Sequence, residues 1–157
     1  MALRKPLVFV NGAPQRLQSG DTLDATFEDQ SVGSFVNDNA GSISQGQPVY
    51  VKSNGAVDLA QADAATTSRT YGLVFDASIA TTATGKIQGD NVLTVSDWTT
   101  PTGSATLTVG SVYYLSAATA GELTTTAPST TGQYVQKVGF AISTTKMNID
   151  LNDPILL

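Results

Sequence analysis

PVYVKSNGAVDL, residues 48–59, decides the fold class. Pro48-Val49-Tyr50-Val51-Lys52 is rich in β-branched and aromatic residues, Ser53-Asn54-Gly55 is a turn sequence, and Ala56-Val57-Asp58-Leu59 is a second short strand. Asn and Gly accept the positive φ that a tight hairpin demands, so the stretch predicts strand, turn, strand. A related pattern occurs again downstream. Residues 46–67 align without gaps to residues 110–131, at an offset of 64. Gly46, Tyr50, Ala56, Leu59, Thr66 and Thr67 meet Gly110, Tyr114, Ala120, Leu123, Thr130 and Thr131, while Val51 answers Leu115 and Asp58 answers Glu122. After a three-residue shift, Gly72-Leu73-Val74 answers Gly139-Phe140-Ala141. Two copies are too few for a solenoid. They imply a duplicated β unit at 46–78 and 110–143; the competing account is chance similarity between two Thr/Ala-rich hairpins.

Strand signals extend outward from this unit. Thr70 to Phe75, Val92 to Val95, Val112 to Ser116, Glu122 to Thr124, Gln133 to Ile142 and Lys146 to Leu151 all read as strands bounded by turn residues. The one helix-like run, Leu59 to Ala65, is at most two turns long and reads as a turn or short helical connector. The expected fold is all-β: a compact sandwich or barrel-like body over residues 26–157, with an extended N-terminal arm over residues 1–25.

Composition narrows the chemistry. Of 157 residues only 13% are charged, against about 25% in typical soluble domains. The chain has no Cys and no His, which excludes disulfides, thiolate nucleophiles, zinc-finger frameworks and His-based acid–base catalysis. Ser is abundant, but no G-x-S-x-G elbow or phosphate-binding glycine loop accompanies it. Asp90 and Asp97 flank a strand beside Trp98, the only tryptophan, a combination seen at sugar sites. Both lie in turn sequences, where Asp caps the local backbone, and that is their expected role. Asn37-Asp38-Asn39 offers oxygen ligands, but no carboxylate stands at calcium-loop spacing, so an Asx-type turn is expected. Tyr50, Tyr113, Tyr114 and Tyr134 fall inside strand patterns and are expected to pack in the core or across strands rather than to form a glycan platform. The expectation is a protein that is not an enzyme and needs no cofactor and no metal.

Charge is unevenly placed. Arg4, Lys5 and Arg16 give the first twenty residues +3, so the other 137 carry −8 toward the net −5. The apolar run Leu7-Val8-Phe9-Val10 is too short for a signal sequence, and no stretch approaches the roughly 18 apolar residues of a membrane span. Bulk acidity disfavours nucleic acid, which needs clustered cations. Neither nucleic acid nor membrane is expected as a partner. Residues 7–18 have the makings of a small hairpin around Asn11-Gly12, although Pro14 lacks a ladder donor. An isolated two-stranded hairpin is marginal in water, so the arm needs a surface to lie on. At the other end, Ile155, Leu156 and Leu157 are costly to leave in water and are expected to pack on the body or against another subunit.

The opening Met-Ala-Leu-Arg-Lys-Pro-Leu-Val-Phe-Val-Asn-Gly, followed by Leu17-Gln18-Ser19-Gly20-Asp21-Thr22-Leu23-Asp24, resembles the N-termini of virion structural proteins of tailed bacteriophages. The duplicated Gly-x-x-x-Tyr form with its acidic-Leu strand resembles small β-rich capsid decoration, or cement, proteins of those phages. The resemblance implies a homotrimer on the outer surface of the capsid, made in the bacterial cytoplasm and stabilising the shell. It implies the major capsid protein as partner, gripped by the arm through Leu3, Arg4, Lys5, Leu7, Val8, Phe9, Arg16 and Leu17. Ile155, Leu156 and Leu157 are the expected subunit contact. The alternative is a head or tail fibre component that contacts host glycans; the chain lacks the long repetitive shaft expected of a fibre.

Overall fold

A computed structural model describes the strands at residues 7–10 and 13–16 and the continuous stretch 31–157. In chain order the strands are β1 (Leu7–Val10), β2 (Ala13–Arg16), β3 (Val32–Val36), β4 (Ile43–Ser44), β5 (Pro48–Val51), β6 (Val57–Leu59), β7 (Thr70–Val74), β8 (Ser78–Ile79), β9 (Thr84–Gln88) and β10 (Asn91–Thr94). A single helical turn, α1 (Thr99–Thr102), precedes β11 (Val112–Leu115), β12 (Leu123–Thr124), β13 (Tyr134–Val135), β14 (Lys137–Ala141), β15 (Lys146–Ile149) and β16 (Ile155–Leu156). The protein is all-β and built from antiparallel sheets. Two are five-stranded, ordered β3-β9-β7-β5-β6 and β10-β15-β14-β11-β12; three are two-stranded, β1-β2, β4-β8 and β13-β16. Residues 62–68 form turns, with Ser68 N–H donating to the Ala64 carbonyl and the Thr67 hydroxyl to Asp63.

The two large sheets have the same strand order, and their backbones agree residue by residue. In the first, Pro48 pairs with Leu73, Val49 with Gly72, and the register then slips so that Tyr50 pairs with Thr70. In the second, Val112 pairs with Phe140, Tyr113 with Gly139, and the register slips so that Tyr114 pairs with Lys137. The bulge therefore falls at the same place in both. Gly46 and Gly110 both adopt the left-handed region, at φ 82° and 80°, and donate to the carbonyls of Val74 and Ala141. The agreement extends past the segments legible in the sequence. Val32 pairs with Gln88 as Val92 pairs with Asn148, so β3 and β9 correspond to β10 and β15.

One apolar cluster joins the halves. Leu93, Tyr113, Leu115, Leu123, Val138, Ala141, Met147 and Ile149 of the second sheet pack with Trp98 and Leu107, and the first half adds Ala60, Ala62 and Leu73. A smaller cluster belongs to the first half alone: Ile43, Val49, Val57, Val74, Ile79 and Ile87, with the β4-β8 pair supplying Ile43 and Ile79. Equivalent faces of the two sheets thus meet different surroundings. Val49 and Val74 sit in the small cluster, whereas their counterparts Tyr113 and Ala141 face the shared one.

A buried amide ties the halves together. Gln136, in the break between β13 and β14, accepts from the Thr70 N–H at 3.1 Å and donates to the Asn152 carbonyl at 3.1 Å. Replacing Gln136 by Leu leaves the Asn152 acceptor without its partner and removes one of the two carbonyl-type acceptors of the Thr70 N–H. The expected cost is about 1–3 kcal/mol, read as a lower melting temperature, with amide exchange quickening first at Gly132 and Leu157, whose N–H groups bond across the end of the β13-β16 pair.

Candidate functional site

The proposed contact residues fall near the two ends of the sequence. Leu7, Val8 and Phe9 lie in β1 and Arg16 closes β2, whereas Leu3, Arg4, Lys5 and Leu17 lie outside the described residues. The register runs Leu7↔Arg16, Val8↔Gln15, Phe9↔Pro14 and Val10↔Ala13. Hydrogen-bonded and open pairs alternate along an antiparallel ladder. Pro14 stands one pair away from the loop-closing Val10 and Ala13, at a position that asks for no donor toward β1. This resolves the objection that Pro14 raises in the sequence. Among the described residues β1 and β2 pair only with each other.

At the other end, the C-terminal segment is held by backbone and bares its side chains. Val135 pairs with Ile155 and Tyr134 with Leu156, Gly132 N–H donates to the Leu157 carbonyl at 3.0 Å, and Leu157 N–H donates to Gln133 at 3.0 Å. Ile155, Leu156 and Leu157 remain 65%, 60% and 42% exposed. The backbone docks on the body while the aliphatic side chains meet solvent.

The alternative chemical sites dissolve on inspection of their neighbours. Trp98 is fully buried, and its indole N–H donates to the Thr145 carbonyl at 3.2 Å, so it offers no stacking face to a sugar. Asp97 accepts from both the hydroxyl and the N–H of Thr99, and these bonds hold its carboxyl below the usual carboxylate range. That is the wrong direction for a general acid, which needs a raised pKa. Asp90 accepts from the Asn91 N–H at 2.6 Å, supporting a left-handed Asn91 with φ 67°. Asn37 is buried and completes an Asx turn, its side-chain oxygen accepting from the Asn39 N–H and its amide donating to the Gly41 and Ile79 carbonyls. Lys52 bridges Asp38 at 2.7 Å and Asp58 at 3.5 Å; the Lys52 hydrogen bond is the main cause of a lowered Asp38 pKa. Among the described residues no cluster of carboxylates forms a metal cage.

The tyrosines divide. Tyr113 is buried with its hydroxyl accepting from the Thr108 N–H, and Tyr50 and Tyr134 border the shared cluster. Tyr114 is half-buried, paired with Thr124. Tyr71, not singled out in the sequence, is exposed and meets Phe35 edge-on at 4.8 Å. A second feature was also missed. Val92, Asn148, Phe140 and Val112 pair in one continuous row across four strands of the second sheet, and Val92 and Phe140 remain open to solvent. Alternation marks these residues as sharing a face; nothing local in the sequence says which face stays uncovered.

Compared with protein-family models and with curated proteins, the chain matches none.

Proposed function

We propose that this protein is a structural component of a tailed-phage particle, a decoration protein that binds the outer capsid surface through its N-terminal arm and stabilises the shell. The observation that carries the proposal is that, among the described residues, β1 and β2 pair with each other alone. A two-stranded ribbon with no third strand is marginal in water, and one with Leu7, Val8, Phe9 and Val10 in its sequence gains most by lying on another protein. Its backbone edges are available for strand addition to a capsid sheet. Arg4, Lys5 and Arg16 make the arm cationic while the rest of the chain is acidic, so the arm faces acidic capsid patches and the body faces outward. In a trimer, three arms reinforce one another through effective concentration. The binding work is done by surface, not by reactive groups, which agrees with carboxylates that are engaged in turns and ion pairs.

The experiment mixes the protein with purified phage shells assembled without it. Deleting residues 2–20 is expected to leave the body folded and to abolish co-sedimentation, a loss of at least a hundred-fold if three arms act together. Arg4→Glu with Lys5→Glu is expected to weaken binding chiefly at low salt, because exposed charges are screened within about 8–10 Å at physiological ionic strength. Undiminished binding by the truncated protein refutes the anchoring role.

A further inference from the structure

The two halves cover the same sheet face in different ways. In the first half, Val32, Gln88, Leu73 and Pro48 form a row across β3, β9, β7 and β5. This row is the counterpart of Val92, Asn148, Phe140 and Val112. Leu73 and Gln88 are buried, Leu73 inside the cluster built mainly by the second half. Phe140, at the position equivalent to Leu73, is 37% exposed, Val92 is 43% exposed, and Ile142 beyond the end of β14 is 44% exposed. The chain therefore shows how this face is covered: by an apolar surface different from itself. It provides that cover once and leaves the second copy of the face open.

We infer that the open face of the second sheet receives the C-terminal strand of another copy of this chain, in a head-to-tail contact that closes into a ring. This deepens the oligomer in the functional proposal above and rests on that reading. Three observations select the occupant. First, β16 with Leu157 is the other run of consecutive exposed aliphatics among the described residues, and its backbone is fixed at β13, so its side chains are presented without an added ordering cost. Second, it lies at the far end of β14 from the open face: Asn152 N–H donates to Lys137 at the start of that strand, whereas Phe140 and Ile142 stand at its finish. Surfaces at opposite ends of a body suit heterologous contact between copies, and a rotation that closes gives a ring. Third, charges match. Lys146 pairs with Thr94 and Ile142 on the border of the open row, and Asp153 precedes the aliphatic strand; both are exposed and neither forms an ion pair with any described residue.

Sedimentation of two complementary variants tests the contact. Variant one carries Phe140→Asp and Ile142→Asp; variant two carries Ile155→Asp and Leu156→Asp. Wild type is expected to sediment as a closed oligomer and each variant as a monomer. Mixed one to one, they are expected to form a heterodimer and nothing larger, because one good face and one good strand remain between them. A face-to-face contact leaves variant two self-associating, a strand-to-strand contact leaves variant one self-associating, and a monomeric wild type refutes contact between copies altogether; each result overturns the inference. If a variant melts far below wild type, Lys146→Glu replaces the pairs: it is expected to weaken association roughly five-fold, with Asp153→Lys restoring it in the double variant. Absence of restoration overturns the assigned partners. Shell binding by wild type is measured separately. An intact ring that ignores shells refutes the capsid proposal alone, and shell binding by a wild-type monomer refutes the ring alone.

Discussion

Alanine at Gly72 or at Gly139 is expected to destabilise the protein by about 3 kcal/mol, near the top of the range for overpacking a well-filled site. For a chain of this size that lowers the melting temperature by roughly 6–12 °C. The two glycines are counterparts in β7 and β14. A Cβ on Gly72 meets the Gln88 carbonyl oxygen of β9 inside van der Waals distance, and a Cβ on Gly139 meets the Asn148 carbonyl oxygen of β15 in the same way. The obstructing atom is backbone in both cases, so no rotamer change relieves it. The neighbouring strand has to move, and its ladder bonds stretch with it. Gly41→Ala is the control: nothing lies within 4 Å of its added methyl and its φ is not positive. That change is expected to be neutral or to stabilise by about 0.4–1 kcal/mol through the unfolded chain. Melting of Gly72→Ala and Gly139→Ala within a degree of wild type would sink the close approach of both strand pairs. The two variants should differ in assembly. Asn148 lies in the open row beside Phe140, so displacing β15 at Gly139 disturbs the proposed contact face, whereas displacing β9 at Gly72 disturbs the interior between the halves.

These glycines also show what the sequence could disclose. Gly72-Leu73-Val74 and Gly139-Phe140-Ala141 are recognisable as a pair because the demand for a bare Cα is local to each strand crossing. The hairpin at 48–59 is legible for a similar reason: Asn54 and Gly55 encode the turn, and Gly55 adopts φ 83°. The correspondence of β3 and β9 with β10 and β15 is hidden, since VGSFV and NVLT share little and the likeness lives in backbone pairing. Gln133 to Ile142 reads as one strand, but Gln136 interrupts it to bond Thr70, sixty-six residues away. Long-range satisfaction of a buried amide leaves no local signal. The open face was illegible on the same grounds. Leu73 and Phe140 are both large and apolar, and only the arrangement of the halves decides that one is buried and the other left for a partner.

Trp98→Ala is expected to cost about 3–5 kcal/mol, the largest single loss of side-chain volume the core offers. Trp98 is fully buried in the shared cluster, and its indole packs against Gly46 of the first half, where an added Cβ would stand 3.1 Å from the ring. Its N–H satisfies the Thr145 carbonyl just before β15, and its own carbonyl accepts from the N–H and hydroxyl of Thr102. Removing the ring therefore opens a cavity between the halves and strips a partner from the loop that leads into Lys146. Trp98→Phe keeps much of the volume but not the donor; the Thr145 carbonyl retains its 2.9 Å bond from the Val95 N–H, so the lost indole bond is expected to cost about 0.5–1.5 kcal/mol while the rest of the stability is recovered. Chemical denaturation of the two variants separates these contributions. A surface tryptophan serving as a sugar platform behaves differently: its alanine variant would unfold at the wild-type denaturant concentration and lose only glycan affinity. Because the loop before β15 borders the open row, the ring inference adds one more expectation. At concentrations where both remain folded, Trp98→Ala should associate more weakly than Trp98→Phe, in proportion to the loss of order at Lys146.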